Sequence, residues 1–399
     1  MDVRETEEEL MVHSYQRFGL VISRGSGDRL YDPSGKEYVD LMSGYGVAIL
    51  GHGNRGVLEA LERQFMEMDI AHASLYTPAR AQFLREFSSI LPWKSSMTYL
   101  GNSGTEAVEA AMKVAFKYTK RRKFIAMERS YHGKTMGSVS LTHSQKYRKS
   151  FSGLLYPEVT FVPFGDAEAL RRVPDLDSYA AVFVEPVQGE GGVNIPPGEY
   201  LKEVREVCDD NGILMVTDEV QSGMGRTGKW WAHQHFGIVP DILTAGKGIG
   251  GGIPMSATSG RKEFMEVLEV GEQSSTTGGN PLACAAGTEV IRQLKGGLLE
   301  RVDSIGRVLR DSLTETVGDH RLVKEVRGMG LMNAVELRIR FLPVLMSMID
   351  GGAIPLYSGI NTIRLLPPYV ITRESVEIAA SAMEGALERQ VASAREGGA

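Results

Sequence analysis

Along the chain, short apolar runs alternate with stretches whose apolar residues recur at helical spacing. Between about residue 50 and residue 285, the runs Met97-Thr-Tyr-Leu100, Lys123-Phe-Ile-Ala-Met127, Ala180-Ala-Val-Phe-Val184 and Ile213-Leu-Met-Val216 are of strand length, the mark of buried strands. Within residues 103–118, Val108, Ala111, Met112, Ala115 and Phe116 share one helical face. Ser103-Gly-Thr-Glu106 has the spacing of a capping box, so a helix is predicted to begin at Ser103. Strands that alternate with helices need crossover connections, which predicts an α/β architecture with buried, mostly parallel strands.

The last hundred or so residues change character. A helical segment near 283–299, the stretch Val323-Lys-Glu-Val-Arg-Gly-Met-Gly-Leu-Met332 and a final amphipathic helix over about 373–391 read as a second, smaller domain. No internal repeat interrupts the pattern; glycine-rich turns fall at Gly25-Ser-Gly27, Gly44-Tyr-Gly46 and Gly250-Gly-Gly252.

Composition narrows the class. At 399 residues the chain can bury a large core, and a net charge of -6 argues against a primary nucleic-acid role. The two cysteines, Cys208 and Cys284, lack neighbours at metal-site or redox spacing, so neither a metal site nor a disulfide framework is expected. The acidic start Met1-Asp-Val-Arg-Glu-Thr-Glu-Glu-Glu-Leu10 has no signal-peptide pattern and no apolar run reaches spanning length. A cytoplasmic protein without a membrane partner is the expectation.

The candidate chemistry sits at the ends of the apolar runs. The run beginning at Ile213 delivers Asp218, and Lys247 follows in Thr244-Ala-Gly-Lys-Gly-Ile-Gly-Gly-Gly-Ile-Pro254. A strand-end carboxylate can keep a pyridine nitrogen protonated, and a lysine among small residues can form a Schiff base, the core of a pyridoxal-phosphate enzyme. Singly, such residues are more often turn residues or solvated charges. Gly104 and Thr105 at a helix start suit a phosphate, although Asn102-Ser-Gly-Thr also reads as a plain helix cap. Ser274-Ser-Thr-Thr-Gly-Gly-Asn-Pro281 offers further hydroxyls, or simply a turn before the next helix. In Ser130-Tyr-His-Gly-Lys-Thr135, Tyr131 could stack on a flat ring or pack in the core, and His132 fits a hydrogen-bonded structural role. Glu185 and Glu190 close another run and face either the same mouth or solvent. The basic run Lys117, Lys120, Arg121, Arg122 and Lys123 complements a helix C-terminus; attraction of an acidic protein is a second reading.

Together these segments resemble the class III (subgroup II) pyridoxal-phosphate aminotransferases of fold type I. The similarity runs from Gly27-Asp-Arg-Leu-Tyr-Asp-Pro-Ser-Gly-Lys-Glu-Tyr-Val-Asp40 to Arg364. It is carried by Asn102-Ser-Gly-Thr-Glu-Ala107, Tyr131-His-Gly-Lys-Thr135, Glu185-Pro-Val-Gln-Gly-Glu190, Asp218-Glu-Val-Gln221, Gly225-Arg-Thr-Gly228, Lys247, Gly278-Gly-Asn-Pro281 and Arg364-Leu-Leu-Pro-Pro368. The resemblance implies a large cofactor-binding domain over 50–285 with a mostly parallel seven-stranded sheet, and a small α+β domain over 286–399 joined by an N-terminal segment, 1–49. It implies Lys247 as the Schiff-base lysine and proton shuttle, Asp218 at the pyridine nitrogen, Gln221 at the phenolic oxygen, Tyr131 at the ring, and Gly104 and Thr105 at the phosphate. Thr276 would reach the phosphate in the neighbouring subunit of a homodimer, and Ser275 would contact substrate. Arg364 would grip the α-carboxylate of glutamate or 2-oxoglutarate, with Glu190 neutralising it when the other substrate is present.

Within the class, Val323–Met332 and Tyr357-Ser-Gly-Ile-Asn-Thr-Ile-Arg-Leu-Leu-Pro-Pro368 look most like archaeal lysine and arginine biosynthesis enzymes. Those take 2-aminoadipate semialdehyde, and in some cases glutamate semialdehyde, on an acidic amino-group carrier protein, with glutamate as donor. N-acetylornithine aminotransferase is the runner-up, followed by ornithine or putrescine aminotransferase. An aminomutase or racemase on the same scaffold, or a non-catalytic cofactor-binding protein, would be a different class. Two departures bear on specificity. Lys134 stands where the family usually has an arginine for a substrate carboxylate, keeping the charge but losing the fork, and Gln273-Ser274 replaces a His-Gly.

Overall fold

A computed structural model describes residues 2–396; residue 1 and residues 397–399 of the expected end segments lie outside the described residues. Seven strands form the central sheet in the order Ser96–Gly101, Ser256–Arg261, Ile242–Ala245, Leu214–Asp218, Tyr179–Val184, Lys123–Met127, Val159–Val162. Ser256–Arg261 runs antiparallel to both its neighbours, and the remaining pairs are parallel. This is the mostly parallel α/β sheet the apolar runs imply. Every residue of Tyr179–Val184 and of Leu214–Asp218 is buried, as expected of strands covered on both faces.

The period of two along those strands divides the cover. Phe183, Val216 and Ile242 pack with Val108, Ala111, Met112 and Ala115 of the Gly104–Thr119 helix. Val182, Val184 and Met215 pack with Leu201, Val204, Val207 and Cys208 of the Tyr200–Asn211 helix. One residue's shift in register would exchange the two faces, so the pattern fixes the sheet as well as the helices.

A second sheet joins the chain's two ends. Arg24–Ser26, Arg29–Tyr31 and Glu37–Asp40 form antiparallel pairs, and Ala353–Ile354 adds in parallel beside Val39 and Asp40. A third, antiparallel sheet contains Val323–Met329, Met332–Leu337, Thr362–Leu365 and Leu356–Ser358, backed by the Leu299–Val317 and Phe341–Asp350 helices, on which the Arg373–Glu396 helix packs in turn. The largest apolar cluster includes Tyr38, Phe83, Leu243, Val290, Leu309, Val344 and Leu387. The interior is therefore continuous from the first sheet to the last helix.

Three expectations need correction. Residues 283–299 are not one helix: Pro281–Gln293 ends before Gly297, whose φ of 105° breaks the path, and Leu299–Val317 begins beyond it. The box at Ser103 does not close on the backbone. Ser103 Oγ donates to Glu106 Oε1 at 2.8 Å, while Glu106 Oε2 accepts from the Asn102 amide at 3.1 Å, leaving the first-turn N–H groups of Gly104 and Thr105 without a side-chain cap. The basic run is partly internal structure. Arg121 donates to the carbonyls of Tyr179, Asn211 and Gly212, and Lys117 pairs with Glu269 and Glu272. Among the described residues no helix is long and apolar enough to cross a membrane.

Candidate active site

The C-terminal ends of the parallel strands converge on a cavity of about 290 Å³, the edge where open α/β sheets gather ligands. Asp218 is the last residue of its strand, Lys247 opens a turn after Ile242–Ala245, and Glu185 follows Tyr179–Val184. Tyr131, His132, Gly104, Thr105, Lys134, Glu190 and Gln221 line the same space. Four separate crossovers thus deliver side chains distant in sequence to one mouth.

Asp218 is held from three sides. His132 Nδ1 lies 2.7 Å from its Oδ2, while the Thr244 hydroxyl and the Val220 amide donate to Oδ1 at 3.1 and 3.0 Å. Because a carboxylate only accepts, the imidazole must donate through Nδ1. Burial opposes a charged His132, but its bond to Asp218 together with the charges of Asp218 and Glu185 outweighs that and holds the imidazole above its ordinary value. Glu185 lies beside this pair. It accepts from the amides of Tyr131 and Gly189 at 3.1 and 3.2 Å, and burial pushes its carboxyl up to about 7. Burial lowers the Lys247 amine, with Glu190 and Asp218 pulling the other way. The lysine keeps partial surface on the cavity side although its amine is enclosed. Its φ of 47° is left-handed, a strain of about 1 kcal/mol for a residue with a Cβ.

Thr105 belongs to a hydroxyl cluster. Its Oγ1 lies 2.6 Å from Thr135 Oγ1 and 2.5 Å from Ser138 Oγ, and Glu109 accepts from Thr135 Oγ1 and from the Gly137 and Ser138 amides. A Cβ on Gly104 would stand 2.7 Å from Val220 Cγ1, so the backbone approaches the floor of the cavity closely. Gly133, at φ 131°, must likewise be glycine to clear Thr105 and Ser138.

Arg364 is fully buried in the Thr362–Leu365 strand. Its Nη2 donates to Glu190 Oε1 at 2.6 Å and its Nη1 to Gln221 Oε1 at 3.1 Å, while Nε has no partner among the described residues. Gln221 packs directly on Gly189. The Glu190 carbonyl accepts from Ser358 Oγ, which anchors that loop on the third sheet. Ser275 and Thr276 are not brought into the cavity of the same chain. Ser275 Oγ accepts from Asn102 Nδ2 at 2.9 Å and from the Gly278 amide at 3.0 Å, and Thr276 is exposed.

His132, Thr244 and Glu109 acquire their contacts only through strand adjacency and packing. For Thr244, its pairing with Asp218 across neighbouring strands is the register that creates the bond; nothing local in the sequence marks it.

The donor set fits pyridoxal phosphate. Uncapped helix N–H groups with Thr105 suit a phosphate, the Asp218 carboxylate suits a protonated ring nitrogen, and Lys247 supplies an enclosed amine at the same cavity. Among the described residues no group of three His, Cys, Asp or Glu could hold a metal ion.

A family model described as aminotransferase class-III matches residues 10–387. The LysW-aminoadipate semialdehyde/glutamate semialdehyde transaminase of Sulfurisphaera tokodaii is 44% identical over 382 residues, covering 95% of this chain and 98% of the relative. The acetylornithine aminotransferase of Methanopyrus kandleri is 41% identical over 392 residues, covering 97% and 99%. Among solved structures, an ornithine aminotransferase from Toxoplasma gondii with partial pyridoxal-phosphate occupancy superposes with a TM-score of 0.92. It is 32% identical and covers 97% of this chain and 93% of that one.

Proposed function

Since the chain belongs to the class-III aminotransferases and is thus a pyridoxal-phosphate-dependent transaminase, we propose that it aminates the terminal aldehyde of a carrier-linked amino acid. Glutamate is the donor in this reading. The acceptor is 2-aminoadipate semialdehyde, and with it glutamate semialdehyde, borne on an acidic carrier protein such as that in the name of the 44% identical relative. The observation that carries the two-substrate reading is the pairing of the buried Arg364 with the partly exposed Glu190 beside Lys247. An unpaired guanidinium there would be costly. Glu190 neutralises Arg364 while the aldehyde substrate is bound and gives way to the α-carboxylate of glutamate or 2-oxoglutarate.

Bound pyridoxal phosphate supplies an electron sink for the carbon that loses its proton during amino exchange. The protein does the rest. Asp218, oriented by His132, Thr244 and Val220, keeps a proton at the ring nitrogen. Lys247, favoured as the neutral amine by burial, would take the proton from the substrate carbon and hand it to the cofactor's carbon rather than back to the atom it came from. Gly104 and Thr105 bind the phosphate, Tyr131 flanks the ring, Gln221 bonds the phenolic oxygen, and Lys134 meets a substrate carboxylate.

We further propose a cytoplasmic homodimer, with 50–285 as the cofactor-binding unit and 1–49 with 286–399 as the smaller one. Phe65, Met66, Ile70, Leu75 and Tyr76 are exposed in one short stretch, an unusual apolar surface for a monomer. Arg80 ties the carbonyls of Ala71 and Leu75 to that of Gly279, which sets this stretch beside the loop of Ser275 and Thr276. Those two residues would act in the partner's site.

The test compares kcat/KM for carrier-linked lysine, N-acetylornithine, ornithine and putrescine, each with 2-oxoglutarate. Preference for the carrier-linked amine is expected. Preference for N-acetylornithine would favour the second reading, supported by the 41% identical relative; turnover without 2-oxoglutarate would point to an isomerase.

A further inference from the structure

Lys134 lines the cavity, yet among the described residues it makes no ion pair with a carboxylate. Its ammonium lies instead 5.4 Å from the centroid of the Tyr147 ring, within cation–π range. The ring is itself fixed. It meets Tyr131 edge to face at 5.4 Å and 74°, and carries a second cation, Lys146, at 5.7 Å. Tyr147 is half-buried on the Gln145–Arg148 helical turn.

This arrangement answers a weakness in the lysine. An ammonium on a four-carbon stem has no fork to set its direction, and free rotation would spread its charge over many positions. A carboxylate neighbour would restrain it but also neutralise it. An aromatic face restrains it and leaves the charge available to an anion.

We propose that Tyr147 is a positioning residue that holds Lys134 toward the cavity, so that the pair acts as a second carboxylate receptor beside Arg364. The enzyme thereby favours substrates with two carboxylate-type groups. The inference rests on the reading of Lys134 as the residue that meets a substrate carboxylate. Lys134 and Glu190, the partner of Arg364, line the same cavity, which places both receptors around one substrate volume.

The test uses the holoenzyme and two non-reacting ligands, glutarate and butyrate, with binding read from the absorbance of the bound cofactor. Tyr147→Leu, or Tyr147→Met where the first does not fold, should weaken glutarate about three- to five-fold and leave butyrate nearly unchanged. Tyr147→Phe, which keeps the ring face, should restore glutarate binding. Combined with Lys134→Met, the loss of the ring should add nothing, because Tyr147 acts only through the lysine. Equal weakening of both ligands, or additive losses in the double variant, would overturn the proposal. If Lys134→Met weakens glutarate but loss of the ring does not, the role of Tyr147 falls alone; if Lys134→Met has no effect, the reading of Lys134 falls with it.

Discussion

Replacing Glu190 by Gln tests the Arg364 switch most directly. The wild-type bond is 2.6 Å long between a guanidinium with 0% side-chain exposure and a carboxylate with 22%. A hydrogen bond to a charged group contributes about 1.5–3 kcal/mol and a neutral one about 1. Glutamine keeps the shape and an acceptor oxygen but loses the charge, so the resident contact weakens by about 1 kcal/mol, the lower end reflecting the partial exposure of Glu190. Any incoming α-carboxylate must displace that contact, and its cost is subtracted from binding. The affinity for 2-oxoglutarate should therefore rise by about three- to ten-fold. The aldehyde half-reaction should slow, because Arg364 is then less well neutralised beside a reacting carbon that bears no carboxylate. Both effects are measurable by titrating each half-reaction against the absorbance of the bound cofactor. Unchanged or weaker 2-oxoglutarate binding would refute the idea that Glu190 competes for Arg364.

Lys247→Ala should bind cofactor and fold yet show no steady-state transamination; normal rates would remove Lys247 from the chemistry. Gly104→Ala, whose Cβ would meet Val220 at 2.7 Å, should lower cofactor affinity by about tenfold or more, read as cofactor retained after dialysis. His132→Phe removes the 2.7 Å bond to Asp218; kcat should fall about tenfold or more, and the pH dependence of the bound cofactor's absorbance should shift, whereas a purely packing role would change only Tm. For Glu185, the folded carboxyl at about 7 lies above its ordinary 4.5, so the unfolded chain releases its proton first as pH rises. Its burial therefore begins to destabilise the fold above about pH 4.5, with the full penalty present above about pH 7. In cofactor-free protein, Glu185→Gln should raise Tm relative to wild type more at pH 8 than at pH 5, and an equal offset at both would contradict the raised value.

The α/β class was legible because buried parallel strands are continuous apolar runs, and 179–184 and 214–218 have no polar face to disguise them. Lys123–Met127 was visible to the residue. The same runs announced where chemistry sits, since Glu185 follows directly on Val184, while Asp218 and Tyr131 come shortly after Val216 and Met127. Local spacing failed where two geometries share one pattern. Ser103 and Glu106 have capping-box spacing, but the carboxylate bonds the hydroxyl and the preceding amide instead. The apolar period continues through 283–299, and the non-helical backbone of Gly296 and Gly297 separates two helices.

By itself, then, the order of residues determined four strands of the central sheet, the packed face of the Gly104–Thr119 helix and the segments that carry Asp218 and Lys247, because each depends on neighbours within a few positions. Tertiary structure decided the pairings of His132 with Asp218 and Lys134 with Tyr147, and it makes the pairing of Arg364 with Glu190 that only the family resemblance had implied. Arg364 and Glu190 are separated by 174 residues, and no periodicity carries information over that distance. Strand order and the closure of the third sheet on the first bring them together, and the low-dielectric interior they share is what turns proximity into a defined interaction.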